Sequence, residues 1–323
     1  MNVNEKTKPV KIIYDTDIGG DCDDAGTLAM IHRLCDKGEA ELLAVTHCAS
    51  SPYFAGCIDA INRFYGRSVR VGINYEEETL ERGVYAAALC EECENSYPAK
   101  NYKTSASAPD TLNVLRETLK DADDESVTLV VTGSLSSMSR LVLSKPDSIS
   151  ELSGKELIKR KIKRTVVMGG RFFESWPMTI YPDGNTSGKP VAREWNIAAS
   201  GLFNARTACD EWPGELVFSS YEIGSYIKTM VGYPDRADKR DPVALAYRIH
   251  NNGRGRCSWD QTAMLEAVRP NKYWNYHAFG RITVDSELVT HWNPDPERRH
   301  TYLLPKEDYE EIRRVIDDIV DGK

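Results

Sequence analysis

Apolar positions in this chain follow two patterns. The first is a short continuous run of strand-forming residues, as at Val10, Ile12, Ile13 and Tyr14, at Leu42–His47, at Val69–Gly72, at Val127–Val131 and at Thr165–Gly170. Such runs suit strands buried on both faces. The second pattern recurs every three or four residues. It predicts a helix over residues 24–37 stopped at Gly38, and another through Phe54, Cys57, Ile58, Ile61, Phe64 and Tyr65 ended by Gly66. Strand and helix alternating at this spacing mean βαβ units and a parallel sheet.

Further along, helices are expected near 81–93, over 109–121, 200–212, 221–231 and 241–251, and from Ser258 onward. Leu216–Ser219 reads as a strand, and the segments 281–285 and 300–304 as an antiparallel edge. A closing helix places Tyr309, Ile312, Ile316 and Ile319 on one face. The stretch 73–108 and the long loop 171–193, with Trp176, Pro177, Pro182, Gly184, Gly188 and Pro190, read as insertions or covers. The expected architecture is one α/β domain over 1–323: an open, mostly parallel sheet flanked by helices, with a small antiparallel edge near the C-terminus.

The loop after the first strand carries the chemistry. Asp15, Asp17, Asp21, Asp23 and Asp24 arrive within ten residues, around the turn Gly19-Gly20. An open α/β sheet places its ligands at this carboxyl end. Helix capping by Asp23 or Asp24 would explain one acid. It does not explain five, which repel unless a cation or good donors compensate them. A divalent cation is therefore expected. With no His or Cys pair beside the acids, and Cys22 a lone thiol in the loop, Ca²⁺ or Mg²⁺ suits the site better than zinc.

Composition narrows the picture. The net charge of -8 argues against a nucleic-acid partner, and an apolar content of 41% supports a substantial core. No run of 18 apolar residues could span a membrane, and Met1–Lys6 lacks the apolar stretch of a signal peptide. A cytoplasmic protein is expected, although a secreted form trimmed of its signal would look the same. Cys35 and Cys57 sit in apolar runs as small core residues, and Cys90 with Cys93 is a solitary close pair, so free thiols are expected.

The acidic loop, Asp15-x-Asp17-x-x-x-Asp21-x-Asp23-Asp24, resembles the N-terminal signature of the inosine-uridine-preferring nucleoside hydrolases in a variant with longer spacing. Three later segments follow in that family's order. Thr132-Gly133-Ser134-Leu135-Ser136-Ser137 resembles its T-G-[GP]-L-T-N loop, with Ser137 where Asn is usual. Val166-Val167-Met168-Gly169-Gly170 matches V-x-M-G-G, and Arg193-Glu194-Trp195-Asn196-Ile197 resembles A-E-[FW]-N-I. The family's V-A-G-N is altered to Cys48-Ala49-Ser50-Ser51. The resemblance runs from residue 10 to about 270.

The resemblance implies Ca²⁺-dependent hydrolysis of a ribonucleoside, a small-molecule substrate, by a homo-oligomer (dimer or tetramer). It implies Asp17, Asp24, Asp260 and the carbonyl of Thr132 as Ca²⁺ ligands, with Asp17 also the general base for a calcium-bound water. Asp23, Glu194, Asn196, Met168 and Asn185 would contact the sugar. Glu194 and Asn196, two apart on extended backbone, would face the same side. Trp259 stands where some members carry a His that protonates the leaving base, and it would stack on a purine or be an ordinary packed aromatic. His47, His250, His277 and His291 carry no motif and read as structural. Two alternatives remain at this point. One is a haloacid-dehalogenase-type phosphohydrolase with Asp15 as nucleophile and Mg²⁺. The other is a non-catalytic nucleoside or sugar sensor.

Overall fold

A computed structural model of the protein describes residues 8–77, 83–96, 102, 104–173, 193–306 and 308–323. The chain opens with β1 (Val10–Thr16), α1 (Cys22–Asp36), β2 (Ala40–His47), α2 (Phe54–Phe64) and β3 (Arg70–Ile73). It continues through α3 (Ala86–Ser96), α4 (Thr111–Asp121), β4 (Val127–Val131), α5 (Ser136–Leu143), α6 (Gly154–Lys161), β5 (Ile162–Met168), α7 (Trp195–Glu211) and β6 (Leu216–Ser219). Next come α8 (Tyr221–Gly224), β7 (Lys228–Val231), α9 (Tyr233–Arg236), α10 (Pro242–Asn251), β8 (Arg254–Cys257) and α11 (Trp259–Val268). The chain closes with β9 (Asn275–Tyr276), β10 (Arg281–Val284), β11 (Thr290–Asn293), β12 (His300–Leu304) and α12 (Glu310–Val320).

The main sheet has the order β3-β2-β1-β4-β5-β6-β12-β9, parallel except for β9 at the edge. Successive side chains of β1 serve opposite layers. Ile12 and Tyr14 join a core built with α1, α2, α11 and α12, while Ile13 joins one built with α4 to α7. Both faces of the strand are covered, so β1 reads as an apolar run without alternation. Strand order reverses between β1 and β4, which opens a crevice at their carboxyl ends. The acidic loop and the turn from Thr132 to Ser134 meet there. A Cβ on Gly133 would lie 2.8 Å from Cys48 Sγ and 2.9 Å from Asp17 N, so glycine is what lets the two loops touch.

Three local expectations are corrected. Residues 221–231 are not one helix: α8 stops at Gly224, and β7 pairs antiparallel with β8. The later half carries Ile227, Thr229 and Val231, whose β-branches suit a strand. The segments 281–285 and 300–304 do not pair as strands. β10 folds onto β11, while β12 enters the main sheet parallel to β6, leaving one bridge from Gly280 to His300. A nearby hairpin partner costs less loop entropy than a distant one. Glu194 and Asn196 do not both lie on extended backbone: Glu194 is the extended N-cap of α7, while Asn196 is already in its first turn. Three helices had no counterpart in the expectations, α5, α6 and the short α9. The second opens with a capping box of Ser153 and Glu156.

The three isoleucines of the closing helix are buried as expected, and the cysteines whose state is described are free thiols. Among the described residues no helix is long and apolar enough to cross a membrane. Of the loop 171–193, only Arg171, Phe172, Phe173 and Arg193 belong to the described residues; Asn185 and the Trp, Pro and Gly positions lie outside them.

Candidate active site

Two helices begin side by side at the crevice. Asp21 caps α1 by accepting from Cys22 N (2.7 Å), which places Asp23 and Asp24 in the first turn. Ser258 precedes α11, which places Asp260 in that first turn. One oxygen from each of Asp23, Asp24 and Asp260 lies within 4.8 Å of the others. All three residues are buried. A Cβ on Gly26 would come within 2.6 Å of Gln261 Nε2 and Tyr247 OH, so the bare backbone at that position allows α11 to pack this closely.

These carboxyl groups are held far above the usual carboxylate range. Burial is the main cause for each, followed by repulsion from Asp17 for Asp24 and from Asp23 for Asp260. Asp23 is raised by burial and then by Asp21, with Arg256 opposing. Among the described residues no ion pair reaches Asp23, Asp24 or Asp260. Helix N-termini favour negative charge, and Asp260 N donates to Asp23 Oδ2 at 3.4 Å, but three acids exceed what two helix ends neutralise. The donor set is all oxygen and lacks positive charge, so a hard divalent cation fits it.

Asp24 Oδ1 is held by several hydroxyls: Thr16 Oγ1 at short range, Thr132 Oγ1 at 3.3 Å and Tyr14 OH at 3.5 Å. Asp17 adjoins Asp24 and keeps part of its surface exposed, while its carboxyl is pushed up to about 6, by burial first and with Asp21 adding. Asn196 Nδ2 donates to the Thr132 carbonyl (2.7 Å) and the Met168 carbonyl (3.1 Å). Glu194 caps α7. Its Oε1 accepts from Asn196 N (2.9 Å), and its Oε2 from Ile197 N (3.0 Å) and Gly170 N (3.2 Å). Burial still pushes Glu194 up to about 7 against these three donors. The three sequence segments around Thr132, Met168 and Glu194 therefore form one connected wall beside the acids.

Trp259 sits at the side of the site and is 8% exposed. Its Nε1 donates to Tyr221 O (2.9 Å), its ring packs on Tyr221 at 5.6 Å, and the Arg256 guanidinium lies 4.8 Å from its centroid. The packed-aromatic reading describes this environment. His47 is structural: Nε2 donates to Ile18 O (3.1 Å), Nδ1 accepts from Ala49 N (3.0 Å), and burial lowers its pKa to about 4. Asp15, the nucleophile of the phosphohydrolase alternative, is 1% exposed, held by Thr46 Oγ1 and raised to about 7 by burial. Its enclosure and its bond to Thr46 do not favour the role of a nucleophile.

Sequence reasoning missed the hydroxyl of Tyr14, which read as a strand residue, and that of Thr16 in the acidic loop, and had no role for Asp21. Asp21 accepts the Arg256 Nε at 2.9 Å and a second guanidinium nitrogen at closer range. No local signal pairs two residues 235 positions apart.

Comparisons with known proteins bear on family and fold. The profile of the inosine-uridine preferring nucleoside hydrolase family matches residues 12–200. The chain is 22% identical to the inosine-uridine preferring nucleoside hydrolase of Crithidia fasciculata, over 97% of its own length and 98% of the relative's. A plant nucleoside hydrolase superposes with a TM-score of 0.69 at 17% identity, covering 97% of this chain and 99% of that one. The inosine-uridine preferring enzyme of Bacillus anthracis gives 0.68 at 16% identity, covering 97% and 100%. With more than half its length under the family profile, the chain belongs to the inosine-uridine preferring nucleoside hydrolases and is a hydrolase acting on N-glycosyl compounds.

Proposed function

We propose that the protein hydrolyses ribonucleosides to free base and ribose with a Ca²⁺ held by Asp17, Asp24, Asp260 and the Thr132 carbonyl. The observation that carries this reading is the convergence of buried carboxylates in the first turns of α1 and α11, with no ion pair to Asp23, Asp24 or Asp260 among the described residues. When bound, the ion supplies a positive field that lowers the proton affinity of a water in the crevice. Asp17 is the one acid of this group with exposed surface, and its carboxylate takes the proton from that water.

Asp23, Glu194 and Asn196 grip the ribose hydroxyls, Met168 lines the same wall, and Asn185 belongs to this sugar-binding set by resemblance. Asn196 spends both amide hydrogens on carbonyls, which leaves its Oδ1 to accept from a hydroxyl. A carboxylate has about four acceptor sites, so Glu194 can take a sugar hydroxyl beside its backbone donors. These grips spend binding energy away from the reacting carbon to orient it. Trp259 borders the base side.

A panel of nucleosides assayed by reducing-sugar release, with Ca²⁺ and with chelator, tests this reading. Base release that stops on chelation and returns with Ca²⁺ is expected. Phosphate release from phosphomonoesters with no base release from nucleosides would overturn it.

A further inference from the structure

Asp21, like Asp15, is left without a role by the proposed Ca²⁺ set, and its surroundings are built. Its carboxylate takes the Arg256 fork, with Nε 2.9 Å from both oxygens. Its carbonyl accepts from Tyr85 OH at 2.7 Å, and the same hydroxyl accepts from Gly19 N at 3.0 Å. His250 Nε2 stands 3.5 Å from Oδ1. Arg256 leaves β8 only four positions before Asp260 and covers the Trp259 ring between them. The pair therefore spans the two halves of the cation site: the loop with Asp17, Asp23 and Asp24 on one side, and the start of α11 with Asp260 on the other.

We infer that Asp21 and Arg256 form a clamp that sets the spacing of these two halves, making both positioning residues for the divalent cation. The inference rests on the Ca²⁺ reading given above. It has a distinctive sign. A bare charge effect would make Arg256 an opponent of the cation, so its removal would tighten binding. A clamp makes Arg256 a helper, because a guanidinium fork holds a carboxylate in one geometry.

Calorimetric Ca²⁺ titration of the full chain separates the two. Arg256→Gln and Asp21→Asn are each expected to weaken Ca²⁺ binding by about 10- to 100-fold, the range for residues that orient ligands. The double variant should be little worse than either single one. Arg256→Lys keeps the charge but loses the fork, and should also weaken binding. Arg269→Gln, which breaks the ion pair with Glu39 just past the C-terminal end of α11, should leave Ca²⁺ affinity unchanged. Thermal melts in chelator check that each variant folds. If Arg256→Gln folds and binds Ca²⁺ as tightly as wild type or more tightly, the clamp is overturned while the Ca²⁺ reading stands. A wild-type protein that takes up no Ca²⁺ overturns that reading and the clamp with it.

Discussion

The two ends of the α1–α11 pair carry the same residue chemistry with opposite outcomes. Beyond their C-terminal ends, Glu39 meets the Arg269 fork, Nε at 2.7 Å and Nη2 at 2.9 Å, and the carboxyl is held below its usual range by that bond. At their N-terminal ends, Asp23, Asp24 and Asp260 meet one another, and their carboxyl groups are driven up by burial and repulsion. One end is closed by a cation of the chain. The other is left open, with no described residue forming an ion pair with Asp23, Asp24 or Asp260. Acids that stabilise a fold come with partners, whereas acids that serve chemistry are held together without them.

Three experiments test that contrast, and a fourth sets it against titrating groups elsewhere. The largest effect is expected at the open end: Asp17→Asn should lower kcat by at least ~10² while leaving substrate binding largely in place, the scale for losing a general base. Near-normal turnover on a confirmed nucleoside would sink this role.

Asp260→Ala should weaken Ca²⁺ affinity, and excess Ca²⁺ should partly restore its rate. In chelator the sign reverses. Asp260→Asn should then melt above wild type, because a repelling buried acid is gone. For wild type, Ca²⁺ at a hundredfold excess over Kd should add about 2.7 kcal/mol of stability by mass action. If chelator leaves the melting temperatures of wild type and variant alike, the open end is not a cation site.

A pH series examines groups away from the acids. His32, bonded to Asn62 (2.9 Å), is lowered to about 3 by burial, and His300 is lowered to about 4, again chiefly by burial. Both stay neutral in the fold and take up protons in the unfolded chain below about 6.5. Their stabilising contribution is therefore present above that pH and lost as pH falls toward 4. Each should cost about 2 kcal/mol at pH 5. Urea melts of His32→Gln should show a shallower loss between pH 6.5 and 5; an unchanged slope would exclude His32 as a source.

The smallest effect belongs to the closed end. Arg269→Gln should cost about 1 kcal/mol in urea denaturation and nothing in kcat, as expected for a half-buried ion pair. A large loss of activity would show that the two ends are coupled.

Much of this molecule was legible along the chain. The strands β1, β2, β4 and β6 show as apolar runs because both faces are covered, and α2, α10 and α12 show as periodic because one face is. The run from Asp15 to Asp24 announced a crowded acidic site since the crowding is local and its cost is intrinsic to like charges. Where local signals were mixed, partners decided. Residues 221–231 divide into α8 and β7 because β8 offers β7 an antiparallel edge. β12 goes to β6 rather than β10 because β11 lies nearer to β10 along the chain.

What sequence alone determined is the acids, their order and the parallel frame that carries them, since periodicity and charge density are properties of neighbouring residues. Tertiary structure decided which acids face one another, which hydroxyls hold Asp24, and that Asp21 answers to Arg256. Apart from the hydroxyls of Thr16 and Tyr14, 8 and 10 positions from Asp24, those contacts join positions 108 to 237 residues apart, and chain periodicity carries no information at that range.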